Sequence, residues 1–367
     1  MIRYRHYCLL LIGTLLLGSC QSVEQLSIDY MLPAEVSFPT ILKRVAVVNN
    51  MPDIPDNKLI VNGKKKKKGE NEVARLTNYY NGDGTITTEA LAEALADENY
   101  FEEVVICDSA LRSKDINPRE STLSQEEVQE LVRDLDVDFL IALENVQMRS
   151  CRKISYAPDW GVFFGTVDVK VYPTVKIYLP NRKGPMLTVN SNDSIFWEEA
   201  ERTEALVRSR LISEEEMVKQ ASGFAGTVPV KHLLPYWKTG HRYLFSGGSV
   251  NMRDAAVYAR EENWSEAIEL WKQTYNAQKG KQKMYAAYNT ALGYEMQDSI
   301  STALEWALKA QALAREKSKT DKKKNGEIQE GTLSYYILTS MYVDELEKRK
   351  EGMTRLNIQM DRFEDDF

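Results

Sequence analysis

Four residues, Ala255, Tyr258, Ala267 and Trp271, are echoed 36 positions later by Ala291, Tyr294, Ala303 and Ala307 at the same internal spacing. No other feature of this 367-residue chain restricts its fold as tightly. A fixed period of this size marks a supersecondary unit that cannot bury its apolar face alone and is covered by the next copy. The first two places fall on one helix and the last two on the next, so each copy reads as an antiparallel helical hairpin. Small side chains at the first and third places let the two helices approach closely. The aromatic and the fourth place fill the groove toward the neighbouring pair. A further helix over Leu333–Glu347 lacks the second-helix pattern and is expected to cap the stack, covering the edge a terminal repeat exposes. Residues 248–367 are therefore expected to be all-α, with Lys317–Lys324 as the loop before the capping helix.

Upstream, residues 41–247 alternate between strand and helix patterns. Val45-Ala46-Val47-Val48 is a short apolar run that stops at Asn49-Asn50-Met51-Pro52, as a buried strand ending in a turn does. Ile86, Ala90, Leu91, Ala94 and Leu95 recur at helical spacing behind Thr87 or Thr88 as a cap, and Val104-Val105-Ile106 is the next strand. Ser124 and Glu127 have the spacing of a capping box, in which the serine accepts from the amide three residues on and the glutamate reaches back. Val128, Leu131, Val132 and Leu135 continue that helix on one face, and Phe139–Leu143 is a third buried strand. This order implies a sheet that is at least partly parallel. From Thr166 to Leu179 buried and polar residues alternate, the mark of antiparallel pairing with one wet face. Pro173 places a bulge or an edge there. Residues 186–189 and 194–197 are expected to pair back as strands, and Ser213–Glu216 opens a helix whose inner face carries Met217, Ala221 and Phe224. The class is α/β or α+β: a mixed-sheet domain over 41–247 followed by the helical domain.

The N-terminus addresses the chain. Arg3 and Arg5 precede an aliphatic run, Leu9–Leu17, that is too short to span a bilayer and has the layout of a secretory signal over residues 1–19. Its ending, Leu17-Gly18-Ser19-Cys20, resembles the lipobox of bacterial lipoproteins, which implies that Cys20 is the lipid attachment site and that residues 20–40 form a tether and first strand. Acyl chains then hold the protein to the membrane at about 0.8 kcal/mol per buried methylene, and no transmembrane helix is expected in the mature chain. Gln21 in place of an aspartate favours the outer membrane, with the periplasmic or surface-exposed face left open. Removing the signal takes away two arginines and no acid, pushing the formal charge below −7, a balance that opposes nucleic-acid binding. Cys107 and Cys151 are then the remaining thiols, with pairing and burial both open.

The search for chemistry points away from catalysis. His232 and His241 stand nine residues apart without acids or cysteines at ligand spacing, so no metal is expected, and no nucleotide or other cofactor fingerprint occurs. Asn81–Thr85 reads as a tight turn before a helix rather than a calcium loop. Lys64–Lys68, between Gly63 and Gly69, reads as a solvated loop, with anionic lipid as its functional alternative. A glycan hydrolase needs two facing carboxylates, and Asp159, Asp168, Asp193, Glu198 and Glu199 supply acids without a spacing that singles out a pair. Tyr156, Trp160 and Phe163 are the candidate platform for a glycan-binding lipoprotein of a nutrient-uptake system.

The helical repeat resembles the tetratricopeptide repeat, whose usual period is about 34, with the extra residues in Asn276–Lys283. Pro33-Ala34-Glu35, Phe38-Pro39, the Lys43–Asn49 strand, Asp193–Glu198, Pro235-Tyr236-Trp237 and the Trp264–Trp271 block occur in an order similar to an uncharacterised lipoprotein family of Bacteroides-type bacteria, a domain of unknown function joined to tetratricopeptide-like helices. That resemblance implies no activity. In element order the first region is similar to small α/β domains of envelope proteins such as the curli-secretion lipoprotein and the N-terminal domain of the Tol translocation protein, an analogy of fold alone. The expected function is a protein-interaction scaffold or adaptor of the cell envelope, without catalysis, holding a protein partner. The expected groove comprises Met252, Arg260, Tyr285, Tyr288, Leu292 and Glu295, with Tyr285 and Tyr288 as its aromatic anchors.

Overall fold

A computed structural model describes residues 23–52, 59–60, 72–107, 109–115, 121–325 and 335–366. The signal segment, Cys20 and Lys64–Lys68 lie outside them. A mixed-sheet α/β region is followed by an all-helical region, and the chain divides into two compact units.

The α/β unit covers Ala34–Tyr236 and the C-terminal Ile358–Phe367. Its centre is β2 (Arg44–Asn49), paired in parallel with β5 (Glu103–Cys107) on one side and with the start of β6 (Phe139–Ala157) on the other. The later half of β6 pairs antiparallel with β4 (Glu72–Asn81), which carries the two-residue β3 (Leu59–Ile60) on its far edge. Antiparallel β7 (Val162–Tyr178) runs back along β6, and both β8 (Leu187–Asn190) and β9 (Asp193–Glu201) pair with β7 rather than with each other. Pro173 falls in the gap between those two short strands, where β7 needs no amide donor; Val171 faces Asp193 and Thr174 faces Asn190.

Helices cover the sheet unequally. On one face, α1 (Gly84–Asp97) and α4 (Glu214–Thr227) bury Leu91, Leu95, Ala221 and Ala225 against Val45, Val47, Val167 and Val169. On the other, α2 (Gln125–Asp134) buries Val128 against Ala46, Val48, Leu140 and Ala142 at the parallel end. The capping box is complete, with both the Ser124 and the Glu127 side chains bonded to the opposite amide. Ser213 likewise caps α4. The start of α1 is a correction: Asp83, not Thr87 or Thr88, accepts from the Ile86 amide, and the two threonines instead bond back to the carbonyls of Asp83 and Gly84. Two short helices, α3 (Glu204–Arg210) and α5 (Val230–Leu233), complete this unit.

In the helical unit, β1 (Val23–Leu32) pairs with β10 (Tyr236–Phe245). Four helices follow as two hairpins, α6 (Val250–Arg260) with α7 (Trp264–Ala277) and α8 (Gly280–Met296) with α9 (Ile300–Asn325), and then α10 (Tyr335–Met360). Ala255, Ala267, Ala291, Ala303 and Ala307 are all buried. The echo reaches the backbone. Both hairpin turns place a non-glycine residue in the left-handed region, Glu262 (φ 60°) and Asp298 (φ 55°). Both also close with an amide reaching back five residues, Asn263 to Tyr258 at 2.8 Å and Ser299 to Tyr294 at 2.9 Å.

Three expectations are corrected here. Lys317–Lys324 continues α9 instead of forming a loop. The last helix extends well beyond Glu347. The helical unit does not hold the whole of 248–367, since Ile358–Phe367 falls in the α/β unit. β1 pairs with β10, while the Gln359 side chain, at the far end of the chain, accepts from the Ala34 amide at 3.0 Å and donates to the Val36 carbonyl at 2.6 Å. Buried main-chain polar groups need partners, and a distant glutamine supplies them.

Candidate functional site

Five of the six groove residues lie in the interior of the helical unit. Met252, Tyr285, Tyr288, Leu292 and Glu295 are buried, because α8 is enclosed on nearly every side and offers no free face. Phe245 stacks on Tyr285 with ring centroids 4.0 Å apart, and the Tyr285 hydroxyl donates to that of Tyr335 on α10 at 2.7 Å. Burial pushes the Tyr285 hydroxyl up to about 12 against the opposing pull of Lys281. Arg260 alone faces outward, and it is committed to Glu24 on β1 at 3.0 Å. An open groove of these six residues is therefore corrected to a packed core of five with Arg260 outside it.

Glu295 has a different role from the one its spacing suggested. It sits at the C-terminal end of α8 and accepts four charge-assisted or hydroxyl hydrogen bonds. Arg242 of β10 donates from Nε and Nη2, each at 2.8 Å; Arg349 and Tyr342 of α10 donate at 2.6 and 2.7 Å. Burial works against the Arg242 charge, but the bonds and charge of Glu295 outweigh it and hold the guanidinium above its ordinary value. Glu345 extends the cluster, accepting from Arg242 at 2.8 Å, from Lys238 at 3.1 Å and from the Tyr30 hydroxyl. Burial opposes the Glu345 charge, yet these donors keep its carboxyl below the usual range.

Beside this cluster a cavity of about 480 Å³ opens between β1, the start of β10, the turn after α8, and α10. Glu295 and Arg349 border it on the polar side, with Asp29 and Asp298. Met31, Met296, Met353 and Leu356 supply apolar lining, and Trp237, 67% exposed, stands among the lining residues. Methionines adapt to irregular ligands because the side chain is unbranched and polarizable. Helical spacing did not reveal this concavity, because it is assembled from β1, β10 and α10, which are remote in sequence.

The α/β unit holds a second polar concentration at the carboxyl ends of its parallel strands, the place where such sheets present side chains to ligands. Asn50 donates to Glu144 at 3.1 Å, Tyr178 donates to Glu144 at 2.8 Å, and Arg112 donates to Asn50 at 2.8 Å and to Glu127 at 3.0 Å. These groups brace one another. Burial, together with the Glu144 charge, pushes the Tyr178 hydroxyl far up, so it stays a proton donor.

The remaining candidates are dispersed. Tyr156 and Phe163 pair across one face of the β6–β7 hairpin (centroids 4.9 Å), whereas Trp160 packs on Phe164, which has the opposite parity (5.6 Å). The aromatic trio is therefore not one platform. Asp168 and Glu198 share one sheet face, Glu199 has the other parity, and Asp193 pairs with Lys231 at 3.1 Å. His232 bonds Glu35 at 2.7 Å. Cys107 and Cys151 are not joined to each other. No helix among the described residues is long and apolar enough to cross a membrane.

Comparison with known families finds two matches. The family described as a domain of unknown function (DUF8603) matches residues 42–245, and a second, also described as a domain of unknown function (DUF6340), matches residues 253–348. No curated protein and no solved structure matches.

Proposed function

We propose, for a chain that belongs to the family of domains of unknown function DUF8603, the role of a lipid-anchored adaptor of the bacterial outer membrane that holds a protein partner without catalysis. The observation that carries this reading is the methionine-lined cavity of the helical unit, with Trp237 exposed among its lining residues. Exposed tryptophan and adaptable methionine are the side chains from which protein contacts gain most. Asp29 and Asp298 add negative charge to the lining and suit a partner segment that brings a basic residue with its apolar ones. The paired helices and their 36-residue echo support a tetratricopeptide-like module, a fold that presents concave surfaces to other chains. The Leu17–Cys20 ending supports the anchor.

A photo-crosslinking amino acid placed at Trp237 of the full-length protein in intact cells is expected to give a discrete protein adduct. Met353→Arg, which fills the cavity from α10, is expected to abolish it at unchanged thermal stability. An adduct that survives Met353→Arg overturns the cavity as the docking site. In the same cells Cys20→Ser is expected to move the protein out of the membrane fraction, and its retention there overturns the anchor.

A further inference from the structure

Among the described residues, no helix packs over β4, β7, β9 and the later half of β6 on the sheet face that α2 covers at the parallel end. Cross-strand rows on this face carry an arrangement that pairing energetics do not explain. Arg75 of β4 lies directly opposite Lys153 of β6, and Arg149 of β6 lies directly opposite Lys170 of β7. Like charges in such positions destabilise a sheet. Arg149, Lys153 and Lys170 make no ion pair with another described residue, and Arg75 reaches only Glu72, at 4.0 Å. Between the two rows stands Asp168, with Phe196 opposite it at the sheet edge, 64% exposed. Tyr79, beside Arg149 in the register, is exposed as well.

Four cations in two rows, one on either side of the Cys151–Asp168 row and flanked by aromatic rings, on a chain of formal charge −7 make a surface complementary to an anion. We propose that this face binds an acidic polysaccharide, with uronate-type carboxylates over the two cation pairs and the flat C–H faces of the sugar rings on Phe196 and Tyr79. An acidic peptide fits less well: Arg149, Lys153 and Lys170 stand on β6 and β7, which are paired on both sides, so a peptide lying over these cations gains no added-strand hydrogen bonds. A phosphodiester chain fits less well too: Asp168 and Glu198, the acids of the face, oppose any anion, and each uronate ring offsets this with hydroxyls that both can accept from, which a phosphodiester backbone offers more sparsely. This surface belongs to the α/β unit and stands independently of the cavity reading.

The test is calorimetric titration of the full-length protein at low ionic strength with polygalacturonate, with neutral dextran and with poly-glutamate. Polygalacturonate is expected to bind, with affinity falling as salt rises. The double variant Arg149→Gln/Lys170→Gln is expected to weaken it at least tenfold and Phe196→Ala severalfold. Dextran is expected not to bind, and poly-glutamate to bind at least tenfold more weakly. The double variant is also expected to melt no lower than the parent, since it removes a like-charge pair, which separates lost binding from lost folding. Cys151, between the two cation rows, gives a second readout in a Cys107→Ser background: polygalacturonate is expected to slow its reaction with a maleimide. Absence of binding, equal binding of poly-glutamate, an unweakened double variant, or unchanged Cys151 labelling overturns the proposal.

Discussion

Glu295, buried at the edge of the cavity, receives hydrogen bonds from two guanidiniums and a tyrosine. Replacing one member of a buried ionic network leaves the others uncompensated, at about 3–5 kcal/mol. Glu295→Gln is therefore expected to lower the unfolding free energy of the helical unit by that order in a urea titration. A loss below about 1 kcal/mol would show the arginines to be solvated. Glu345 sets the acid limb of this stability. Its carboxyl is held below the ordinary value of 4.5, so its contribution is complete above that value and is lost as pH falls through the lower folded one. Thermal unfolding followed between about pH 5 and 3 should lose part of its slope in Glu345→Gln. Spacing identified Glu295 as notable for the wrong reason. Helical spacing places Glu295 on an open face, but Arg242 and Arg349 come from elements 53 and 54 residues away in sequence and enclose it.

The hairpins show how far a periodic pattern carries. Small residues at Ala255, Ala267, Ala291 and Ala303 announce close helix packing, and these positions are buried. The turns add strain that the pattern does not reveal. Glu262 holds φ at 60°, a conformation glycine adopts freely, so Glu262→Gly is expected to stabilise the helical unit by about 0.5–1 kcal/mol. Gly293 stands under the opposite constraint: a Cβ there would lie 2.6 Å from Ile268 Cγ1, and Gly293→Ala is expected to destabilise by about 1–3 kcal/mol. Opposite shifts in melting temperature would check the pair; shifts of the same sign would contradict the packing. In the sheet, β2 and the start of β6 are plain in sequence because strands buried on both faces read as apolar runs; β5, an edge strand with Ile106 44% exposed, is legible from its β-branched run Val104-Val105-Ile106 instead. β4 escaped notice because Arg75, Thr77 and Tyr79 face outward while Asn78, though buried, is polar.

The division of the chain into units does not follow its linear order. Ile358–Phe367 belongs to the α/β unit, where Gln359 satisfies main-chain groups of Ala34 and Val36 and Arg362 lies over the ring of Tyr100, 3.9 Å from its centroid. Gln359→Ala orphans buried polar groups and is expected to destabilise this unit by about 1–3 kcal/mol. Truncation after Asn357 is expected to do so more strongly. Monitoring the α/β unit by hydrogen exchange of β2 would register both; unchanged protection would separate the tail from the core.

Local order alone set β2, β5, the start of β6 and the hairpin helices, the capping box at Ser124, the alternation along β7 and the 36-residue echo, because each follows from a period or a cap confined to a few neighbouring positions. The buried charge cluster, the methionine cavity, the like-charge rows of the sheet and the placing of Gln359 came from long-range pairing alone. Each joins residues tens to hundreds of positions apart, and a polar side chain carries no local signal of the distant group it will meet.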